Sequence, residues 1–257
     1  MVIAVDPRRR AALATTALEA GRHVLAEKPL ALGTADAARV RAAAERAGRV
    51  VMTGHVLRFH PAVEALLRLV RQGPLGPLRR AEAVRKGFGK FFPGVDAVWD
   101  LAPCDLSLLV ALAGRPPASA EGRRARVLTD AADAAEIALD FGGGFAAAVR
   151  LSRVFPGKER RLIVTGERGV AVFDDLAPWP RKLTLARDGA APEPAAISET
   201  APLDAELRHF LDCIAEGAEP LAGAAHAIEV IGALEAIRMR DVPHAELPAD
   251  LHPVGGA

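Results

Sequence analysis

Residues 17–30 read ALEAGRHVLAEKPL, and the order of residue types within them decides the architecture. Ala17, Leu18 and Ala20 close a helix. Gly21 stops it, because glycine alone takes a left-handed conformation without steric penalty. Val24-Leu25-Ala26 is a short apolar run of the kind buried on both faces of a parallel sheet. Glu27, Lys28 and Pro29 then fall beyond the strand's carboxyl end, where open α/β sheets bind their ligands.

The pattern extends in both directions from this stretch. Residues 1–5, MVIAV, form a compact apolar run bounded by Asp6-Pro7, and Pro7 suits a first helical turn. A helix over 8–20 places Ala11, Leu13, Ala14, Ala17 and Leu18 inward. Thr34 is an N-cap candidate for a helix through Ala47, ended by Gly48. Val50-Val51-Met52 reads as a third strand. The order strand–helix–strand–helix–strand means parallel strands with right-handed crossovers. It is the later half of a doubly wound sheet. No strand–Gly-x-Gly-x-x-Gly–helix unit precedes it, so the first half is expected to be missing. The one glycine cluster, Gly142-Gly143-Gly144, lies between two strand-like runs and reads as a hairpin turn rather than a phosphate cradle.

From Pro61 the pattern changes. Residues 61–72 form an amphipathic helix, and GPLGPL at 73–78 is a turn-rich hinge. The boundary is set there, giving an amino-terminal domain over 1–74 and a carboxyl-terminal domain over 75–257. Residues 78–87 alternate as a strand, and 98–112 read as a helix carrying Asp100 and Cys104. Strand candidates at 136–141, 145–151, 161–165, 169–173 and 182–186 follow one another through tight turns, which predicts a mostly antiparallel sheet. The Pro/Ala-rich run at 188–202 reads as an exposed loop. Helices at 203–216 and 223–239 close the pattern, and the tail from His244 is expected to fray. The fold class is α/β: a partial parallel sheet followed by an α+β domain.

Composition bounds the function. The 257 residues are 51% hydrophobic and 25% charged, as in ordinary globular proteins. A net charge of +1 offers no field for nucleic acid or an anionic membrane. No run approaches the roughly 20 apolar residues of a membrane span, and the basic residues near the start follow the apolar run, the reverse of a secretory signal. Cys104 and Cys213 are too few for a disulfide framework, which fits a reducing, cytoplasmic setting. His23, His226, His244 and His252 show no metal-ligand spacing, so no metal is expected.

Lys28 is the best-placed proton-handling group in the chain. Asp100 and Cys104, at i and i+4, share one face of a helix. His55, Arg58 and His60 follow the third strand, where they would line a cleft; Arg58 suits an anionic group. Lys86, Lys90 with Trp99, and His209 are weaker substrate-side candidates. On residue chemistry alone, a solvated Glu-Lys pair and a small buried cysteine compete with these assignments.

The runs ALEAGRHVLAEKPLAL, GRVVMTGHVLRFHPAV, AVWDLAPCDLSLLVALAG, RRLIVTGERGVAVFDD and ELRHFLDCI together resemble the Gfo/Idh/MocA oxidoreductases across nearly the whole chain. That resemblance implies a Rossmann-type first domain, NAD or NADP as cofactor, and hydride transfer at a carbinol carbon of a sugar, cyclitol or nucleotide sugar. It implies that Lys28 hydrogen-bonds the reacting hydroxyl, that Glu27 lies against the nicotinamide ribose with Pro29 and His55 nearby, and that the Lys28–Pro29 peptide is cis. Asp100 would contact the substrate. Cys104 stands where the family carries a histidine acid/base, and a thiol does not relay a proton near neutral pH as imidazole does. Lys28 is then the acid/base. Without the Gly-rich loop, cofactor binding is expected to be weakened or lost. The resemblance also implies a homo-oligomer formed through the carboxyl-terminal sheet. The alternative function is a non-catalytic family remnant serving as a ligand-binding or subunit-association module.

Overall fold

Three short strands and two helices alternate over the first 54 residues: β1 (Val2–Ile3), α1 (Pro7–Glu19), β2 (Val24–Glu27), α2 (Thr34–Ala47) and β3 (Val51–Gly54). This is a computed structural model, and it describes residues 1–89, 91 and 94–251. The strands pair in parallel in the order β1-β2-β3, with Leu25 opposite Met52 and Glu27 opposite Gly54. Asp6 caps α1 by accepting from the Arg8 N–H at 2.9 Å, and Gly48 ends α2 with φ of 59°. Thr34 is not the cap that its residue type suggested. It is the first residue of α2, and its N–H and hydroxyl donate to Glu235 at 3.1 and 2.8 Å.

That last contact reflects a division that the linear pattern does not show. The first structural unit comprises residues 1–61 together with 199–235, and the second comprises 62–198 together with 236–257. Helices α5 (Pro202–Glu216) and α6 (Ala224–Ala236) therefore belong with the three-stranded sheet, in contrast to a boundary at residue 74. The reason is apolar. Leu25 and Met52, neighbours on one face of the sheet, pack with Phe59, Phe210 and Ala222. The Thr53 N–H donates to Ala222 O at 2.8 Å, tying β3 to the turn before α6.

The second unit is built on a nine-stranded sheet. Its strands are β4 (Leu78–Phe88), β5 (Ser119–Ala125), β6 (Ala134–Asp140), β7 (Ala146–Ser152), β8 (Val154–Gly166), β9 (Gly169–Asp174), β10 (Leu183–Arg187), β11 (Glu193–Pro194) and β12 (Arg238–Asp241). Their order is β11-β10-β9-β8-β4-β7-β6-β5-β12, antiparallel except where β4 meets β7 and β5 meets β12. Helix α3 (Pro61–Gln72) leads into β4, and α4 (Ala97–Ala113) packs on β4, β6 and β7. Gly142, Gly143 and Gly144, all with positive φ, make the β6–β7 hairpin.

Strands β5 and β12 are absent from the sequence reading. β12 is a four-residue strand at the sheet's edge, and β5 carries Glu121, Gly122, Arg123 and Arg124 in succession, so neither shows the apolar alternation that marks a half-buried strand. The final helix consequently ends at Ala236. The tail does not fray as far as Leu251: turns at 244–246 and 249–251 place Leu247 and Leu251 against Ala125 and Ala134. Burying those two leucines contributes about 4 kcal/mol before ordering costs.

Candidate active site

In the first unit the candidate residues Glu27, Lys28, Pro29, His55 and Arg58 lie at or just beyond the carboxyl ends of β2 and β3. The register explains how. Glu27 pairs with Gly54, and its carboxyl carbon lies 3.5 Å from where a Gly54 Cβ would stand. The carboxyl group thus rests against the Gly54 backbone. The Lys28 N–H donates to Glu27 Oε2 at 3.2 Å, and the Lys28–Pro29 peptide is cis. Arg10, buried on α1, ties this turn to the sheet. Its guanidinium donates to Pro29 O at 2.5 Å and to Val5 O, beyond β1, at 2.6 Å.

His55 follows β3 and is 4% exposed. Its ring meets that of His226, on α6, edge to face with centroids 5.6 Å apart. Burial pushes His55 well below the ordinary histidine range, and His226, Lys28 and Arg58 add to the effect. Burial likewise lowers His226 to about 4, with Arg58 contributing. Both imidazoles are therefore neutral at physiological pH, each with one donor and one acceptor nitrogen. Lys28 and Arg58 lie near enough to act on His55, and Arg58 acts on His226 as well. Among the described residues, no group hydrogen-bonds His55 Nδ1.

His209 does not join that cluster. Its Nε2 accepts from the Leu221 N–H at 3.0 Å and lies 3.4 Å from Cys213 Sγ, while its ring tilts on Phe59. These contacts give it a structural assignment in place of the substrate-side one. One turn earlier on α5 lies Glu206, which the sequence reading passed over. It is 3% exposed, and burial together with the Glu27 charge raises it to about 7. The available signal was its position i−4 from Phe210, on the inward stripe of an amphipathic helix.

In the second unit, Asp100 and Cys104 do share a face of α4. Between Ala97 and Val110, solvent reaches only Trp99, Asp100, Leu101 and Cys104. Asp105, the residue after Cys104, is buried and takes a bidentate pair from Arg85, at 2.8 and 2.7 Å. Burial alone would lower the Arg85 guanidinium, but Asp105 and the neighbouring Cys104 hold it above its ordinary value. The amino end of α4 is anchored from several sides. Asp96 caps it by accepting from the Trp99 N–H at 2.9 Å and from Arg124 at 3.1 Å. Arg153 donates to Val95 O at 2.8 Å and to Asp133 Oδ1 at 2.8 Å. Asp133 in turn accepts the backbone N–H groups of Val127, Leu128 and Thr129 at 3.0, 2.7 and 2.9 Å.

Lys86 is also reassigned. Its Nζ is buried and paired with Glu159 at 2.8 Å and Asp250 at 3.2 Å, so it anchors the carboxyl-terminal turn. Lys90 lies outside the described residues. Among those described, no group of three His, Cys, Asp or Glu side chains is arranged to hold a metal ion. No described helix is long and apolar enough to cross a membrane.

Comparison with known proteins accounts for this arrangement. Residues 1–55 match the model of an oxidoreductase family with an NAD-binding Rossmann fold, and residues 63–172 match the GFO/IDH/MocA C-terminal domain. The chain belongs to the Gfo/Idh/MocA oxidoreductase family. Among its relatives within that family is UDP-N-acetylglucosamine 3-dehydrogenase of Acidithiobacillus ferrooxidans, 31% identical over 79% of this chain and 66% of that protein. A crystal structure of an A. ferrooxidans enzyme of that name superposes with a TM-score of 0.82 at 29% identity, covering 92% of this chain and 76% of the other. Trans-1,2-dihydrobenzene-1,2-diol dehydrogenase of Bos taurus is 29% identical over 82% of this chain and 67% of its own length. The Gfo/Idh/MocA chain described here thus spans about two thirds of these curated relatives.

The residues present fit the nicotinamide end of a dinucleotide. A carboxylate at a strand end accepts from ribose hydroxyls, and the spare His55 Nδ1 is a buried polar atom that calls for a partner. The described residues hold no Gly-rich helix start for a pyrophosphate, since the positive-φ triplet at 142–144 is a hairpin.

Proposed function

We propose that this chain carries the nicotinamide and proton-transfer end of an NAD(P)-dependent oxidoreductase acting on a carbinol carbon of a sugar, cyclitol or nucleotide sugar. The observation that supports it is the cluster at the carboxyl ends of β2 and β3, where Glu27 and Lys28, on a turn tied down by Arg10, come together with His55 and Arg58 from the segment after β3. The bound nicotinamide would supply or accept the hydride. Lys28 would hold the reacting hydroxyl and take or return its proton. Glu27 would hold the ribose, and Arg58 suits an anionic group such as a nucleotide phosphate. Asp100 and Cys104 occupy the positions that family resemblance gives to substrate contact and to the acid/base histidine. With a thiol at 104, the proton falls to Lys28.

Titration of the purified chain with NADH and NADPH by calorimetry tests this reading. Weak but saturable binding is expected, since no Gly-rich helix start among the described residues holds the pyrophosphate, and Glu27→Gln should weaken it at least about tenfold further. With bound nucleotide, a panel of sugars and nucleotide sugars should show turnover that Lys28→Met abolishes. A folded sample that binds neither nucleotide refutes the reading.

A further inference from the structure

Glu206 is a buried carboxyl that the chemistry above does not use. Its place follows from matching periodicities. On β2, Leu25 and Glu27 point to the same face, two residues or about 6.6 Å apart. On α5, Phe210 and Glu206 lie one turn or about 5.4 Å apart on the inward stripe. Leu25 packs with Phe210 in the apolar cluster, and Ile214 and Gly217 lie with His23 and Val50 at the amino ends of the strands, so α5 runs against β2 and the next level up sets Glu27 beside Glu206. The electrostatic contact between the two carboxyls agrees with that placement.

The two groups differ in their surroundings. Glu27 is exposed at the strand end, whereas Glu206 is buried, and no described residue hydrogen-bonds its Oε1. A buried carboxylate needs several donors; a neutral carboxyl tolerates fewer. Other titratable groups lie around this face. His209 on α5 is held by Leu221 and Phe59. Arg58 acts on His55 and His226. Arg10 bears on Glu27 from α1. Glu219, in the turn before α6, lies near His23 and Val50 at the opposite end of the strands.

We propose that Glu206 is a positioning residue for Glu27: while neutral it lets the Glu27 carboxylate rest over Gly54, and once ionised it repels that carboxylate from its place. The purpose of the pair, holding the nicotinamide ribose only while Glu206 is protonated, rests on the function proposed above. Nucleotide binding then weakens as pH rises through neutrality.

The pair can be tested without any nucleotide. Carbon-13 spectra of the side-chain carboxyls are followed from pH 5.5 to 8.5 in the wild-type chain, Glu206→Gln and Glu27→Gln. In the wild type the Glu27 signal should step at the Glu206 midpoint, and in E206Q the step should vanish. In E27Q the Glu206 acid dissociation constant should rise by about tenfold, one unit of coupling. A Glu27 signal indifferent to pH in this range, or stepping equally in E206Q, overturns the proposal. Should E206Q fail to fold, an unmoved Glu206 midpoint in E27Q overturns it alone. Calorimetry with NADH then reads the purpose: affinity should drop about tenfold between pH 6 and 8.5 in the wild type and stay nearly level in E206Q. A Glu27 step without NADH binding at either pH supports the pair and refutes the cofactor reading instead.

Discussion

Removing the Asp133 carboxylate should be among the most damaging changes in the second unit. The side chain is fully buried and collects three backbone N–H groups, the Thr129 hydroxyl at 2.8 Å and the Arg153 guanidinium. Burial by itself would raise its pKa. The N–H groups of Leu128, Val127 and Thr129 and the Thr129 hydroxyl overcome that and hold it at about 2, against an ordinary 3.8. Asp133→Ala leaves those donors and a buried arginine without an acceptor. Breaking one half of a buried ion pair costs about 3–5 kcal/mol, and orphaned N–H groups add to it, so about 4 kcal/mol is expected as a lower figure. Arg153→Met should cost less, about 2 kcal/mol, because Asp133 keeps its backbone donors. The double variant should fall short of the sum by about 1–2 kcal/mol, the signature of direct coupling. Both tryptophans of the chain, Trp99 and Trp179, lie in the second unit, so urea unfolding followed by their fluorescence reports on it selectively. The sign with pH is fixed too. A depressed carboxyl stabilises above its unfolded value, so about 2 kcal/mol should be lost as pH falls from 3.8 toward 2. A cost below about 1 kcal/mol for Asp133→Ala, or strict additivity in the double variant, refutes the reasoning.

Three further outcomes follow from the geometry. Arg10→Met removes both clamps on the turn after β2; it should cost about 2–3 kcal/mol and speed hydrogen exchange at Lys28 and Leu30, and unchanged exchange there would count against the clamp. Gly169→Ala would put a Cβ 2.6 Å from Ala186 O in the β9–β10 ladder, so a loss of about 1–3 kcal/mol is expected in thermal unfolding, whereas an unchanged melting temperature would show that the strands can part cheaply. His226, held at about 4 against an ordinary 6.5, stabilises the first unit fully above 6.5 and loses about 3 kcal/mol as pH falls toward 4; His226→Phe should flatten that slope in exchange measurements corrected for intrinsic rate, and an equal slope in the variant would assign the effect elsewhere.

The sequence was most legible where local chemistry and global fold agree. Gly21, Gly48 and the apolar run before Glu27 announce a parallel strand and its functional end, because a strand buried on both faces leaves a continuous hydrophobic signature. The pairing of Asp100 with Cys104 on one helix face needed only helical spacing. What spacing could not convey was side-chain commitment. Lys86 and His209 look available in the linear sequence, and each is consumed by partners distant in the chain, Asp250 and Leu221. Glu206 is the reverse case: an acidic residue on a predicted helix reads as solvated until Phe210 fixes which face is inward. Strands β5 and β12 were hidden because these Arg-bearing segments at the margin of the sheet, β12 at its edge and β5 just inside it, gain their pairing from the sheet rather than from their own hydrophobicity.

The discontinuous first unit has a consequence for how the chain is made. Its sheet is translated first, yet Phe210 and Ala222, which cover Leu25 and Met52, arrive only after all of residues 62–198. At about 5–20 residues per second that gap is on the order of ten seconds. At its end the second unit's nine-stranded sheet lacks only β12, while the nascent β1–β3 segment still carries an uncovered apolar face. A ribosome stalled short of residue 199 would therefore hold a chain in which the later-encoded unit is nearer completion than the earlier one. That nascent sheet is where a holdase chaperone would find its hydrophobic target.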